Sequence, residues 1–318
     1  MKSSFASRLL FFLSCCFLGE AARAEEPAPL NSPLKFVRLT RDAEGTPQSL
    51  DTAIMRYQPA NGESDLIVDL VGAVHVGEKS YYEKLNLLFA EYDVVLYELV
   101  APEGTRIPKG GRSEGPTNPI SMMQGMTKSM LGLASQLEHV DYTKENLVHA
   151  DMSADDMKKA IESRGDNMLS FALSAMSDVV RTANKQAQQM DVEEVSSEQD
   201  LISMLTDPQA GAKMKIMMAE QFDRMGGTEM MLGAKINETI VKDRNAAAMK
   251  VFQRQLTSGK RKVAIFYGAA HMPDFDQRLR EDFGLKQVEK FWLTAWDLTK
   301  QPENQASPLN AFLRLLRE

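Results

Sequence analysis

The sequence predicts an α/β (α+β) fold: a mixed central sheet built from two related strand–helix–strand halves, each carrying Gly-x-x-His, with a Met-rich helical insertion between them. Three observations predict it. Two apolar runs of strand length, beginning at Leu66 and Val263, both stop at Gly-x-x-His, as Gly72-Ala73-Val74-His75 and Gly268-Ala269-Ala270-His271. The chain has 4 histidines, and two of them close these matching runs. A third run, Asp93-Val94-Val95-Leu96-Tyr97-Glu98-Leu99-Val100, is apolar almost without break, as a strand covered on both faces of a parallel sheet is. Between the halves the composition shifts, with 16 of the 19 methionines beyond residue 24 falling between Met122 and Met231.

Taken in order, residues 1–24 read as a cleaved signal peptide. Lys2 and Arg8 precede an apolar stretch from Leu9 to Leu18, and Ala22-Arg23-Ala24 is a small-residue cleavage site. The apolar stretch is far shorter than the ~20 residues of a membrane helix, so no integral membrane segment is expected after cleavage. A second reading is a lipoprotein signal with Cys15 lipidated, which leaves an unusually short apolar region. Export to the periplasm or outside the cell is the expectation either way. Residues 25–33 are a Pro- and Glu-rich flexible leader, and 34–318 are expected to form a single domain with 120–231 as the helical insertion.

Lys35–Leu39 and Thr52–Tyr57 read as two strands of a hairpin with a long loop. After His75, Ser80-Tyr81-Tyr82-Glu83 fits a capping box. Tyr81, Leu85, Leu88, Phe89 and Tyr92 then line one helical face. Residues 102–119 are a Gly- and Pro-rich loop. Ser153-Ala154-Asp155-Asp156 begins a helix, while Asp207-Pro208 and Gly226-Gly227 are breaks. A long helix is expected over 232–256, a short one over 273–283, a strand over 291–296 and a short amphipathic tail helix over 309–316. Methionine packs pliably, so the insertion is either a loosely specified helical core or the lining of an adaptable groove.

Both cysteines lie within residues 1–24, so beyond them there is no disulfide, thiolate nucleophile or cysteine ligand. Removal of that segment takes the formal net charge from −7 to −9, which argues against nucleic acid and anionic membrane surfaces as partners. No Walker loop, Gly-x-Ser-x-Gly elbow or His-Glu-x-x-His is present.

Candidate site residues follow from where polar groups interrupt apolar runs. Sites in open α/β sheets gather outside the carboxyl ends of strands, where His75 and His271 are expected as ligands or bases. The alternative is a pair of structural histidines bonded to backbone. Gly72 and Gly268 are expected as structural turn positions, where backbone bends or approaches closely. Glu98 ends a buried strand, and a buried carboxylate needs a cation or metal, unless the strand end has simply reached solvent. Arg244 falls in the apolar arc of its helix, between Ile236, Ile240, Ala247 and Val251 on one side and Val241, Ala248 and Phe252 on the other. An inward arginine needs an anion, either developing substrate charge or a structural partner such as Glu98 or Asp69. Glu78 is expected to cap a helix, His149 to lie in a connecting strand and His139 on a helix surface.

Gly72–His75 with Asp93–Leu99, then Asp243-Arg244-Asn245, then Tyr267–His271 resemble the TraB/PrgY/GumN family, which includes the TIKI metalloproteases and groups with erythromycin-esterase and ChaN-like proteins. The resemblance covers roughly residues 60–100 and 232–300. It implies that His75, His271, Glu98 and Arg244 are the functional set. It implies metal-dependent peptide hydrolysis in one branch, metal-independent ester hydrolysis in another and peptide-pheromone inactivation in others. Two histidines and a carboxylate have the ligand types for a divalent metal with an open water position, with Mn, Co, Zn and Fe not distinguished.

The first functional expectation is therefore an exported metal-dependent peptidase. His75, Glu98 and His271 would bind metal, Glu98 and Arg244 would be catalytic, and Arg244 would stabilise the oxyanion. The substrate class is a peptide or small molecule. A metal-independent esterase with His/Glu as base is one alternative. A non-catalytic protein sequestering a peptide or haem is the other. Substrate and oligomeric state are not encoded in any pattern of the sequence.

Overall fold

The computed structural model describes residues 34–62, 64–102, 104–111, 131–165, 170, 177, 209–224 and 241–300. The signal peptide, the leader, the tail helix, the breaks at 207–208 and 226–227, residues 232–240 and most of the Met-rich insertion lie outside the described residues.

The chain opens with a hairpin. β1 (Val37–Arg41) pairs antiparallel with β2 (Pro47–Pro59), register Leu39 to Leu50. Its loop is organised by Asp42, whose Oδ1 accepts from the Glu44 and Thr46 amides, with Gly45 at φ 85° where a side chain would be strained. β2 then pairs antiparallel with β3 (Ile67–Ala73). After the short β4 (Val76–Gly77) comes helix α1 (Lys79–Phe89), then β5 (Val94–Tyr97). α1 buries Tyr81, Tyr82, Leu85 and Phe89, the stripe that the three- to four-residue spacing predicts with Tyr82 added.

The expected capping box is not there. Glu78 is the N-cap, without a side-chain cap bond. Ser80 is already inside the helix, and Glu83 pairs with Lys79 at 3.7 Å instead. The helix start at 153 is as expected: Ser153 Oγ accepts from the Asp156 amide and donates to the Asp156 carboxylate.

β6 (Ala134–Ser135) pairs antiparallel with β4, and α2 (Gln136–His139) and β7 (Leu147–His149) follow. Helices α3 (Ala154–Ser163) and α4 (Ala210–Arg224) come next. Then come α5 (Arg244–Thr257) and β8 (Lys262–Gly268). A 3-10 turn over Ala269–His271 runs into α6 (Met272–Glu281), and β9 (Leu285–Asp297) ends the described chain apart from 298–300.

Among the described residues the main sheet has 7 strands, in the order β1-β2-β3-β8-β5-β7, with β9 pairing along β2. It is mixed. β3, β8, β5 and β7 run parallel, while β1, β2 and β9 are joined by antiparallel pairings. The parallel strands are the apolar runs of the sequence: Val68, Leu70, Val71, Val95, Leu96 and residues 263–266 have no exposed surface. Burial on both faces is what keeps parallel strands near-continuously hydrophobic. The two strand–helix–strand runs place their second strands differently. β5 lies parallel beside β8, whereas β9 runs antiparallel along β2.

α4, part of the Met-rich stretch, packs on β1 and β2. Its buried Lys215 donates from Nζ to Glu78 Oε1 at 2.7 Å and to the Asp297 carbonyl at 2.8 Å. Among the described residues no helix is long and apolar enough to cross a membrane.

Candidate active site at the carboxyl ends of four parallel strands

Each of the four parallel strands ends at one polar residue. His75 follows β3, Glu98 follows β5, Asp151 follows β7, and β8 ends at Gly268 just before His271. Because β3, β8, β5 and β7 are consecutive neighbours and parallel, these ends lie along one edge of the sheet. α5 places Arg244, its first residue, against that edge, immediately after a π-helical turn over 241–243.

Gly268 stands at the meeting point. A Cβ on it would lie 3.3 Å from Glu98 Oε2, 3.7 Å from His75 Nε2 and 3.9 Å from His271 Cδ2. Its amide donates to Glu98 Oε2 at 2.7 Å. Gly72 lies inside β3, where a Cβ would come within 3.3 Å of the Ala53 carbonyl oxygen. Neither glycine makes a turn, since Gly268 has φ −51° and Gly72 is strand backbone. The structural reason for both is close approach, of a carboxylate in one case and of the neighbouring strand in the other.

Glu98 is held from three sides. Arg244 Nη2 donates to its Oε1 at 2.6 Å, Gly268 N–H to its Oε2, and the Glu98 amide itself donates to the Phe266 carbonyl at 3.2 Å. Burial would raise its pKa, but the Arg244 guanidinium, with help from His271 and His75, holds it well below the usual carboxylate range. Arg244 is buried, as the helical arc predicts, and it is shared. Nε donates to Asp151 Oδ1 at 2.9 Å and Nη2 to Asp151 Oδ2 at 2.6 Å. The structural partner foreseen for it is thus Glu98, joined by Asp151. Asp69 is instead taken by Arg56 at 2.9 Å and by the Tyr92 hydroxyl at 2.6 Å.

His271 is 5% exposed, with Nε2 at 3.6 Å from Glu98 Oε1. Nδ1 is 2.6 Å from Asn245 Oδ1, and the Tyr267 ring packs against it edge-on. Burial, then the nearby Arg244 and His75, bring its pKa down to about 4 against the opposing pull of Glu98 and Asp151. His271 is therefore a neutral imidazole near neutral pH. His75 is exposed. Its backbone is fixed from both sides. The Gln136 amide donates to its carbonyl at 2.9 Å, and Trp296 Nε1 donates to the Val76 carbonyl at 2.8 Å.

One guanidinium, Arg244, thus faces two buried carboxylates, Glu98 and Asp151. The donor set fits a divalent ion. Two ligands of one such ion, each at about 2.0–2.2 Å, can stand up to about 4.3 Å apart, and the Glu98–His271 pair at 3.6 Å lies within that span. Among the described residues no three His, Cys, Asp or Glu side chains are gathered at metal-holding distance; Glu98 and His271 are a buried pair, and the exposed His75 brings its Nε2 to the same glycine.

The lower-ranked residues are placed elsewhere. Glu78 is engaged by Lys215 and the Asp297 amide. His149 sits in β7, an edge strand of the sheet, with Nε2 2.6 Å from the Leu99 carbonyl oxygen. His139, half-buried, stacks on Tyr82. Sequence reasoning missed Asp151 and Asn245. Asp151 carried a weaker form of the signal that singled out Glu98, a carboxylate following a strand, here one too short to make an apolar run. Asn245 carried none beyond its place next to Arg244.

Comparison with protein-family models, with curated proteins and with solved structures finds no match for this chain.

Proposed function

We propose that the protein is a hydrolase of the TraB/GumN type, cleaving peptide bonds with the help of a divalent ion held by His75, Glu98 and His271. The reading is supported by one observation above all: four adjacent parallel strands deliver His75, Glu98, Asp151 and the Gly268–His271 corner to one edge, where Arg244 meets them. The likeness of the two Gly-x-x-His stretches then reflects a shared task, one imidazole from each.

Bound there, a divalent ion lowers the pKa of a coordinated water and polarises a carbonyl. His271 contributes a neutral ring at ordinary pH, because its pKa lies near 4. Glu98 stays ionised down to low pH and so remains an anionic oxygen donor at the site. Arg244 keeps that carboxylate in place through Nη2, and Nη1 is the guanidinium nitrogen with no carboxylate partner among the described residues. Nη1 is thus what Arg244 offers to charge developing on a substrate oxygen.

A second reading is favoured by a specific observation. Among the described residues two donors, Glu98 and His271, stand within reach of one ion, and Arg244 already answers the Glu98 charge. Glu98 and His271 would then take the proton from water directly, as an esterase without metal. The test is hydrolysis of a panel of peptides and esters by the purified protein, with its metal content measured, beside His75→Ala and Glu98→Gln. Activity lost in both variants and on chelation supports the first reading. Activity that survives exhaustive chelation but not Glu98→Gln moves the assignment to the second. Equal activity in wild type and both variants overturns the hydrolase assignment at this site.

A further inference from the structure

We propose that Asn245 is a positioning residue that locks His271 as its Nδ1–H tautomer and so keeps the Nε2 lone pair facing Glu98 free for a bound cation. The proposal rests on the hydrolase reading only in naming what the lone pair is for.

The lock is visible in the partners of the Asn245 amide. Asn245 is fully buried. Its Nδ2 donates to the His271 carbonyl at 3.0 Å and to Asp274 Oδ2 at 2.8 Å. Neither of those oxygens can donate in return, so the amide cannot be turned over without setting two acceptors against its own oxygen. Oδ1 is therefore the atom that faces His271 Nδ1, at 2.6 Å, and at that distance the ring nitrogen must carry the hydrogen. Asp274 is itself held by Arg278 Nε at 2.6 Å. The chain Arg278–Asp274–Asn245–His271 thus runs from the α6 surface to the ring.

The locked form is the one that the site alone would not choose. Without Asn245, a hydrogen on Nε2 would point toward the anionic Glu98, 3.6 Å away, and would be favoured by its charge. Instead, the Nε2 lone pair faces Glu98 Oε1, which takes its hydrogen from Arg244 Nη2 at 2.6 Å rather than from the ring. A buried amide, a main-chain carbonyl and a carboxylate are all engaged in maintaining an arrangement that leaves a place for a cation. Second-sphere partners of this kind set ring orientation and tautomer at metal sites.

The experiment is two-bond proton–nitrogen NMR of the histidine rings in metal-free, histidine-labelled full chain at neutral pH, with His271→Gln to assign the signal. Wild type is expected to show His271 in the Nδ1–H form. Asn245→Ala should move it to the Nε2–H form. Asp274→Asn keeps Asn245 in place but lets its amide turn, so it should give a mixture and serves where Asn245→Ala folds poorly. Zinc titrated into the same proteins should bind about 10–100-fold more weakly in both variants. An Nε2–H ring in wild type overturns the proposal, as does an Nδ1–H ring in both folded variants with zinc affinity unchanged. If wild type binds no zinc and cleaves nothing, the hydrolase reading falls while the ring signals still decide the role of Asn245.

Discussion

Ala73 on β3 is the register partner of Gly268 on β8, so the two histidines that follow these strands leave the sheet at the same level from neighbouring positions. The β3–β8 ladder thus brings two stretches far apart in the chain to one edge of the sheet. It also sets how tightly the site is built. A methyl group on Gly268 would lie 3.3 Å from Glu98 Oε2, an atom already held by the Gly268 amide at 2.7 Å. If the protein is the hydrolase proposed, Gly268→Ala should lower its activity by tenfold or more while costing about 1–3 kcal/mol of stability, the range for overpacking. Steady-state kinetics beside urea unfolding check it, and an unchanged kcat/KM would show that the carboxylate has room to move.

Arg244 stands between two carboxylates that are almost wholly buried. Replacing it with methionine leaves both without their cation, so Arg244→Met should destabilise the fold by about 3–5 kcal/mol. Arg244→Lys keeps the charge but loses the fork that bonds both at once, and an intermediate loss is expected. Denaturant midpoints at neutral pH measure both. A loss under about 1 kcal/mol for Arg244→Met would mean that the carboxylates find other partners.

The pH dependence of stability follows from His271. Its pKa falls from 6.5 to about 4 on folding, so the unfolded chain binds the proton more readily. Stability from this group is full above pH 6.5 and is lost as pH falls toward 4. The loss is on the order of 3 kcal/mol over that window, at 1.36 kcal/mol per unit. Glu98, also depressed on folding, adds a further loss as pH falls below its unfolded pKa of 4.5. In metal-free protein, wild type should lose more stability than His271→Gln between neutral pH and pH 4, as read by urea unfolding at each pH. Parallel losses would place the proton elsewhere.

Lys215 tests the α4 docking independently of chemistry. Its ammonium is buried between Glu78 and the Asp297 carbonyl. Lys215→Met should cost about 1–3 kcal/mol, because a buried carbonyl loses its donor. Glu78→Gln should leave hydrolysis unchanged, since the Glu78 carboxylate is engaged with Lys215 rather than with His75, Glu98 or His271. A fall in kcat for Glu78→Gln would bring that residue back into the site.

Much of the site was legible in the sequence for one reason. Strands buried on both faces tolerate almost no polar residue, so His75, Glu98 and His271 stand out where apolar runs stop. The same logic on a helix exposed Arg244. Asp151 was less legible by that rule, since the strand before it, Leu147–His149, is three residues long and makes no apolar run. Asn245 was not legible, since an asparagine beside an arginine on a helix has no pattern that separates a buried anchor from a solvated side chain. The failed capping box has a similar cause. Ser80 and Glu83 have the right spacing, but the chain enters α1 from β4, and that geometry puts the helix start at Glu78.

Residue pattern by itself determined the buried strands β3, β5 and β8, the polar residues His75, Glu98 and His271 that follow them and the arginine that turns inward, because these depend on local periodicity and on the cost of burying polar groups; it missed the short β4 and β6 and the full length of β2 and β9. The tertiary structure alone decided that β8 lies between β3 and β5, that β9 turns away to pair with β2, and that Arg244 takes Glu98 and Asp151 rather than Asp69. Those outcomes belong to contacts between segments far apart in the chain. Their order is settled by how the whole set of buried faces and charges can be satisfied together, and no local pattern contains that sum.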